Sequence, residues 1–180
     1  MPQRILQRAA GGALLSGLLL VLRGRRDDGD GAVPLNAISH WLWPRSAFRA
    51  RGFSARHTVT GALIHVGASC FWSLVFEGRR LLRGAQAPEP RPREVLRDAL
   101  ALSALAAWVD LKGVPPALRP GFERRLRADS LCLVYLGFAA GLALGELCKA
   151  APRAPGPARL VPSPAQHAAL AAAPPARRAA

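Results

Sequence analysis

His65 stands four residues before Ser69 inside an apolar stretch, so on a helix an imidazole lies one turn from a hydroxyl, the pairing of a base with a nucleophile. No GxSxG surrounds that serine, and small residues at helical spacing in such stretches usually pack against a neighbouring helix. His40, His57, Asp110 and Glu123 are of metal-ligating type, but they are scattered and show no HExxH-like spacing. His57 and His65 on one helix point along it rather than onto one iron, and no CxxCH is present for haem attachment. Cys70, Cys132 and Cys148 are odd in number, form no CxxC pair and lie in or beside apolar segments, which argues against a disulfide framework or a zinc site. With no glycine-rich phosphate loop after a strand, no cofactor is expected. The remaining chemistry is a proton or substrate site built on His65 and Asp110.

The element that carries His65 is unusual. Every fourth residue from His57 onward reads His57, Gly61, His65, Ser69, Ser73, Glu77, a small or polar row threaded through the longest apolar stretch, Thr58 to Phe76. A stretch of that length is enough to cross a bilayer, and hydrocarbon offers no hydrogen-bond partner, so the row must face protein or trapped water. Steps of four overshoot a helical turn, and the row therefore winds around its helix as a packing ridge.

Composition agrees with a membrane class. The chain has 180 residues, of which 51% are hydrophobic but only 6% aromatic, so Leu, Ala, Val and Gly supply most of the apolar character. A formal net charge of +14 raises the question of nucleic acid, but the arginines fill the gaps between apolar segments and lack the aromatic-interleaved surface that strand binding uses. Phospholipid headgroups are the better anionic partner. The excess of Arg over Lys, with abundant Ala, Gly and Pro, suggests a GC-rich bacterial coding sequence.

Four apolar segments emerge, over about 5–22, 58–76, 95–111 and 130–147, and the third is the least apolar because Arg97 and Asp98 sit near its start. Arg4 and Arg8 flank the start of the first and Arg23, Arg25 and Arg26 follow it without a small-x-small cleavage pattern, so it reads as a retained helix. Segments this short reach about 24–27 Å at the helical rise and call on snorkelling arginines or local thinning. Between the first two, residues 34–43 place Leu35, Ile38 and Leu42 on one face and Asn36, His40 and Trp43 on the other, the pattern of an interfacial helix, with Trp41 and Trp43 suited to the headgroup boundary. Residues 84–93 read as a proline-rich linker and 150–180 as a disordered Ala/Pro/Arg tail. Gly137, Gly141 and Gly145 form a doubled GxxxG, a close-approach ridge for another helix of the same chain or of a second copy, and Gly12 and Ser16 form a weaker one.

With four crossings the first and third connections share a membrane face, which brings Asn36, His40, Arg56, His57, Asp110, Glu123 and Asp129 to one side with His65 about two turns inside it. Asp110 is expected to approach the His57 end of the second span. Lys and Arg divide almost evenly between the two sides; the Arg79, Arg80 and Arg83 cluster tips the expectation toward cytoplasmic termini.

The string Asn36-x-x-Ser39-His40-Trp41-Leu42-Trp43, then Arg56-His57-Thr58, His65-x-x-x-Ser69-x-x-Trp72 with Glu77, Val109-Asp110 and Pro120-Gly121-Phe122-Glu123, resembles a group of small bacterial inner-membrane proteins of no known activity. The resemblance spans about 36–145 and implies four helices and a membrane location. A second imidazole beside His65 belongs to that pattern, and Ile64 and Val66 stand there instead. The expectation is an all-α, polytopic bundle of four transmembrane helices in a bacterial inner membrane. Its expected partners are the lipid bilayer and a second copy or a membrane complex, and not nucleic acid. The expected role is a non-enzymatic accessory, assembly or scaffold component, the alternative being a small oligomeric transporter or channel subunit with a His/Asp site near one face.

Overall fold

The computed structural model describes residues 2–82 and 90–148, which fold into α1 (Pro2–Asp28), α2 (Val33–Ile38), α3 (Thr60–Leu82), α4 (Pro92–Trp108) and α5 (Ala128–Leu147), with no strand among the described residues. Three segments, Gln3–Asp28, Ala55–Arg79 and Ala128–Leu147, are long and apolar enough to cross a membrane. The helix on the third expected span, α4, is shorter at 17 residues, and its first two turns carry Arg93, Glu94, Arg97 and Asp98. Pro92 opens it and the Glu94 carboxylate accepts the Arg91 amide at 3.3 Å, a capping arrangement that fixes its start. The expected disordered tail over 150–180 and most of the 84–93 linker lie outside the described residues.

The glycine ridge of α5 packs against α1 of the same chain. A Cβ on Gly141 would lie 2.1 Å from the Gly11 carbonyl oxygen, one on Gly145 would lie 2.5 Å from the Gln7 carbonyl oxygen, and one on Gly137 would meet the Leu19 side chain at 2.2 Å. Gly11 answers from the other side, with Gly141 O 2.3 Å from its own would-be Cβ. The two helices run antiparallel with backbones in contact, so the ridge is occupied within one molecule. Of the weaker pair, Gly12 also faces α5, against Phe138 and Leu142, whereas Ser16 meets His65 of α3.

The small and polar row of α3 is enclosed along its length, with His57, Gly61, Ser69, Ser73 and Glu77 buried and His65 half-buried. Gly61 lies against the Leu35 carbonyl of α2, where a Cβ would come within 1.8 Å of the oxygen, and Glu77 meets Arg8 of α1. Trp72 and Phe76 of the same helix join Val95, Ala99, Leu102 and Ala106 of α4 and Phe138, Leu142 and Ala143 of α5 in the main apolar core.

The segment expected as an interfacial helix is largely enclosed by protein. It forms α2 and a 3-10 turn over Ser39–Trp41, and Val33, Asn36, Ala37, Ile38 and Ser39 are all buried, leaving only Trp41 and Leu42 exposed. An amphipathic pattern is equally satisfied by a protein groove, and here α1, α3 and the third connection supply one. The first and third connections do share an end of the bundle. The Trp41 indole N–H donates to Arg119 O at 3.1 Å, His40 Nε2 lies 3.3 Å from Ala117 O, and the positive φ of Gly121 (93°) lets that turn press on Ala37 O. Asp28 holds Arg51 at 2.7 Å and Arg125 at 3.3 Å, tying both connections to the end of α1. Asp30 accepts the Gly52 and Ala32 amides, which hold its carboxyl below the usual carboxylate range.

Because no side chain fits between Gly11 and Gly141, Gly141→Ala should lower thermal stability in detergent by about 1–3 kcal/mol, and Gly141→Leu should prevent native packing. Unchanged melting of Gly141→Leu would contradict the α1 and α5 contact.

Candidate functional site

Two short π-turns position the candidate residues. Ala55–Val59 precedes α3 and carries Arg56 and His57; Val109–Gly113 follows α4 and carries Asp110. The wider turn is closed in the first by Val59 N donating to Ser54 O at 3.4 Å and in the second by Val114 N donating to Val109 O at 3.0 Å. Each inserts an extra residue into the helical count and so rotates the side chains that follow or precede it.

The first group surrounds Asn36, which is fully buried on α2. Its Nδ2 donates to Ala50 O at 3.2 Å and Gly52 O at 3.0 Å, and its Oδ1 accepts the Thr58 hydroxyl at 2.6 Å. Ser39 gives its proton to Asn36 O at 2.7 Å and accepts from His57 Nδ1 at 3.0 Å, which assigns the His57 proton to Nδ1. The Trp43 ring packs edge-on against His57, and the Arg56 guanidinium lies 5.1 Å from the Trp43 ring centroid. His40 points at Ala37 O, 2.9 Å from Nδ1, and its ring lies tilted against Phe48 with centroids 5.1 Å apart. These residues lock the first connection onto α2 and α3.

The second group lies inside the bundle. Ser16 of α1 donates to Gly12 O at 2.6 Å and accepts from His65 Nε2 at 2.9 Å, repeating the imidazole, serine, carbonyl sequence of the first group. Asp110 accepts the Tyr135 hydroxyl at 2.9 Å. A cavity of about 40 Å³ has His65, Ser69, Asp110 and Tyr135 in its wall together with Trp72 and Phe138. It exceeds the roughly 10–15 Å³ that one water needs, and it is too small for an organic substrate. Such an arrangement can hold water and pass a proton between an imidazole and a carboxylate.

The expected single cluster is therefore divided. Asp110 pairs with Tyr135 and not with His57, whose Nδ1 is already committed to Ser39, and Arg56 is exposed on Trp43 and not directed to Asp110. Glu123 lies 3.9 Å from Arg124, and Asp129 takes Arg23 at 2.5 Å and Arg26 at 3.5 Å. Among the described residues no group of three His, Cys, Asp or Glu side chains is arranged to hold a metal. No family model matches the chain, and neither a curated protein nor a solved structure is significantly similar to it.

A third polar group went unread in the sequence. Arg8, expected as a charge flanking the first span, is 0% exposed and forms an ion pair with Glu77 of α3 and, at 3.1 Å, with Glu146 of α5. Its guanidinium also lies 5.2 Å from the Phe76 ring centroid, and its Nε donates to Arg4 O at 3.2 Å. The signals available were the position of Arg8 one turn before Gly12, of Glu77 at the end of the α3 row and of Glu146 directly after Gly145.

Removing one member of a buried ion pair leaves charge without its counterion, so Arg8→Met should cost about 3–5 kcal/mol in thermal unfolding. The triple change Arg8→Met, Glu77→Leu, Glu146→Leu should recover most of that loss. Double-mutant cycles should give couplings of about 0.5–3 kcal/mol for Ser16→Ala with His65→Ala and for Tyr135→Phe with Asp110→Asn. The pair His65→Ala and Asp110→Asn, which shares a cavity but no bond, should lie closer to additivity.

Proposed function

We propose that this is a non-enzymatic integral membrane protein, a four-helix accessory, assembly or scaffold component of a bacterial inner membrane. The observation that carries the reading is an inside-out distribution of side chains. Large apolar residues are exposed on the outer faces of all four long helices, including Leu14 and Leu18 of α1, Leu63 and Phe71 of α3, Leu96 and Leu105 of α4, and Leu133 and Leu136 of α5. Polar residues on those same helices turn inward, where Arg8 pairs with Glu77 and Glu146, His65 with Ser16, and Ser103 with the Tyr135 carbonyl at 2.6 Å. A lipid environment accounts for both halves of that pattern. The four-span reading includes α4, whose 17 residues reach about 25 Å. Its charged first turns then sit at the headgroup level, where Arg97 can snorkel.

An accessory role is favoured because Arg8, Ser16, Asn36 and Ser103 are engaged in joints between helices or to a neighbouring connection, and the His65 and Asp110 cavity is water-sized. The alternative is a small oligomeric transporter or channel subunit in which that cavity passes protons. It is supported by the shared wall of His65, Ser69, Asp110 and Tyr135.

The protein should remain in the membrane fraction through alkaline carbonate extraction and copurify from native membranes with a distinct partner. A pure homo-oligomer, coupled to proton flux in vesicles that Asp110→Asn abolishes, would favour transport. Both termini are expected in the cytoplasm, and a carboxy-terminal reporter active only in the periplasm would reverse that orientation.

A further inference from the structure

A groove of about 550 Å³ runs between α4 and α5, walled by Leu100, Ala104 and Ala107 on one side and Leu131, Cys132 and Leu136 on the other. The alanines of α4 leave the space. Two polar residues reach its wall, and both are engaged: Ser103 donates to Tyr135 O at 2.6 Å and Tyr135 donates to Asp110 at 2.9 Å. The slot therefore offers hydrocarbon contact without a free hydrogen-bonding group, which suits an alkyl chain better than a polar ligand.

One end of the groove is basic. It finishes at Leu111 and Ala128, and the adjoining residues are Lys112 and Arg127. Lys112 is exposed and makes no ion pair among the described residues; the Arg127 side chain is 76% exposed and lies 3.9 Å from Asp129 Oδ1. Of the two carboxylates beside Arg127, Asp129 is held by Arg23 at 2.5 Å and Asp27 accepts the Arg127 backbone amide at 2.9 Å, so neither is committed to the guanidinium. An apolar slot ending at two available cations is complementary to an anionic amphiphile.

We propose that this groove binds an anionic phospholipid, with one acyl chain along α4 and α5 and the phosphate-bearing headgroup on Lys112 and Arg127. The proposal rests on the membrane reading above. A second copy of the chain fits less well. Copies inserted in the same orientation would meet through a two-fold axis along the membrane normal, which sets Lys112 and Arg127 of both at one level and makes like charges face each other.

The test uses the full chain in mild detergent, with phosphatidylglycerol or phosphatidylcholine added and bound lipid read by native mass spectrometry. One phosphatidylglycerol should be retained per chain. Ala104→Phe, at an exposed position, should fill the slot and abolish retention while melting as the parent does. Lys112→Gln with Arg127→Gln should weaken phosphatidylglycerol by about thirtyfold, the worth of two cations at a lipid surface, and leave phosphatidylcholine unchanged. Retention of neither lipid, equal retention of both by the parent, retention undiminished by Ala104→Phe, or a dimer that excludes lipid would each overturn the proposal. Alkaline extraction separates the two readings: release of the parent protein would remove the membrane reading itself, whereas a protein that stays embedded and binds no lipid would remove only the groove assignment.

Discussion

The backbones of α1 and α5 touch at Gly11 and Gly141, and the positions of the other helices follow from that contact. Lipid supplies no hydrophobic force between helices, so close van der Waals approach and interhelical polar bonds must hold them. Three glycines one turn apart on α5 remove the side chains that would keep the helices separate. The approach brings Arg8 beside Glu146, and α3 completes that site with Glu77. Farther along α1, the same packing turns Ser16 toward His65.

The polar side chains then sort by depth. At one end of the bundle Arg8, Glu77 and Glu146 join three helices through charge; in the middle His65 joins two through a serine; at the other end Asn36, Ser39 and His57 bind α2 to the start of α3. A buried polar group without a partner is costly, whereas one that bonds across an interface fixes register. Both imidazoles meet a serine whose own proton is committed to a carbonyl, so in each the nitrogen facing the serine is the one that donates.

Much of the packing was legible in the sequence because glycine and serine repeat at helical spacing. Gly137, Gly141 and Gly145 announced a contact surface, and the row from His57 to Glu77 announced an enclosed one. The partners did not announce themselves. Gly11 and Gly12 both meet α5, and periodicity alone does not pair either with Gly141. Arg8 has the sequence context of a flanking charge, and only the tertiary position of Glu77 and Glu146 makes it a buried one. Asp110 was placed near the correct end, but the π-turn at Val109–Gly113 changes its angular position, and neither hydrophobic period nor composition records an inserted residue. The face pattern of residues 34–43 does not decide what is enclosed: Asn36 and His40 of its polar face are buried, whereas Leu42 of its apolar face is exposed.

The Arg8 site joins the first long helix to the last. Along a nascent chain, α1 leaves the ribosome well before Glu146 has been synthesised, and its guanidinium must spend that interval in water, at the headgroups or against the insertion machinery. Final settling of α1 is thereby coupled to completion of α5. A chain truncated in α5 would lack both the glycine surface and one of the two carboxylates that receive Arg8, giving quality control a charged and unseated helix to recognise.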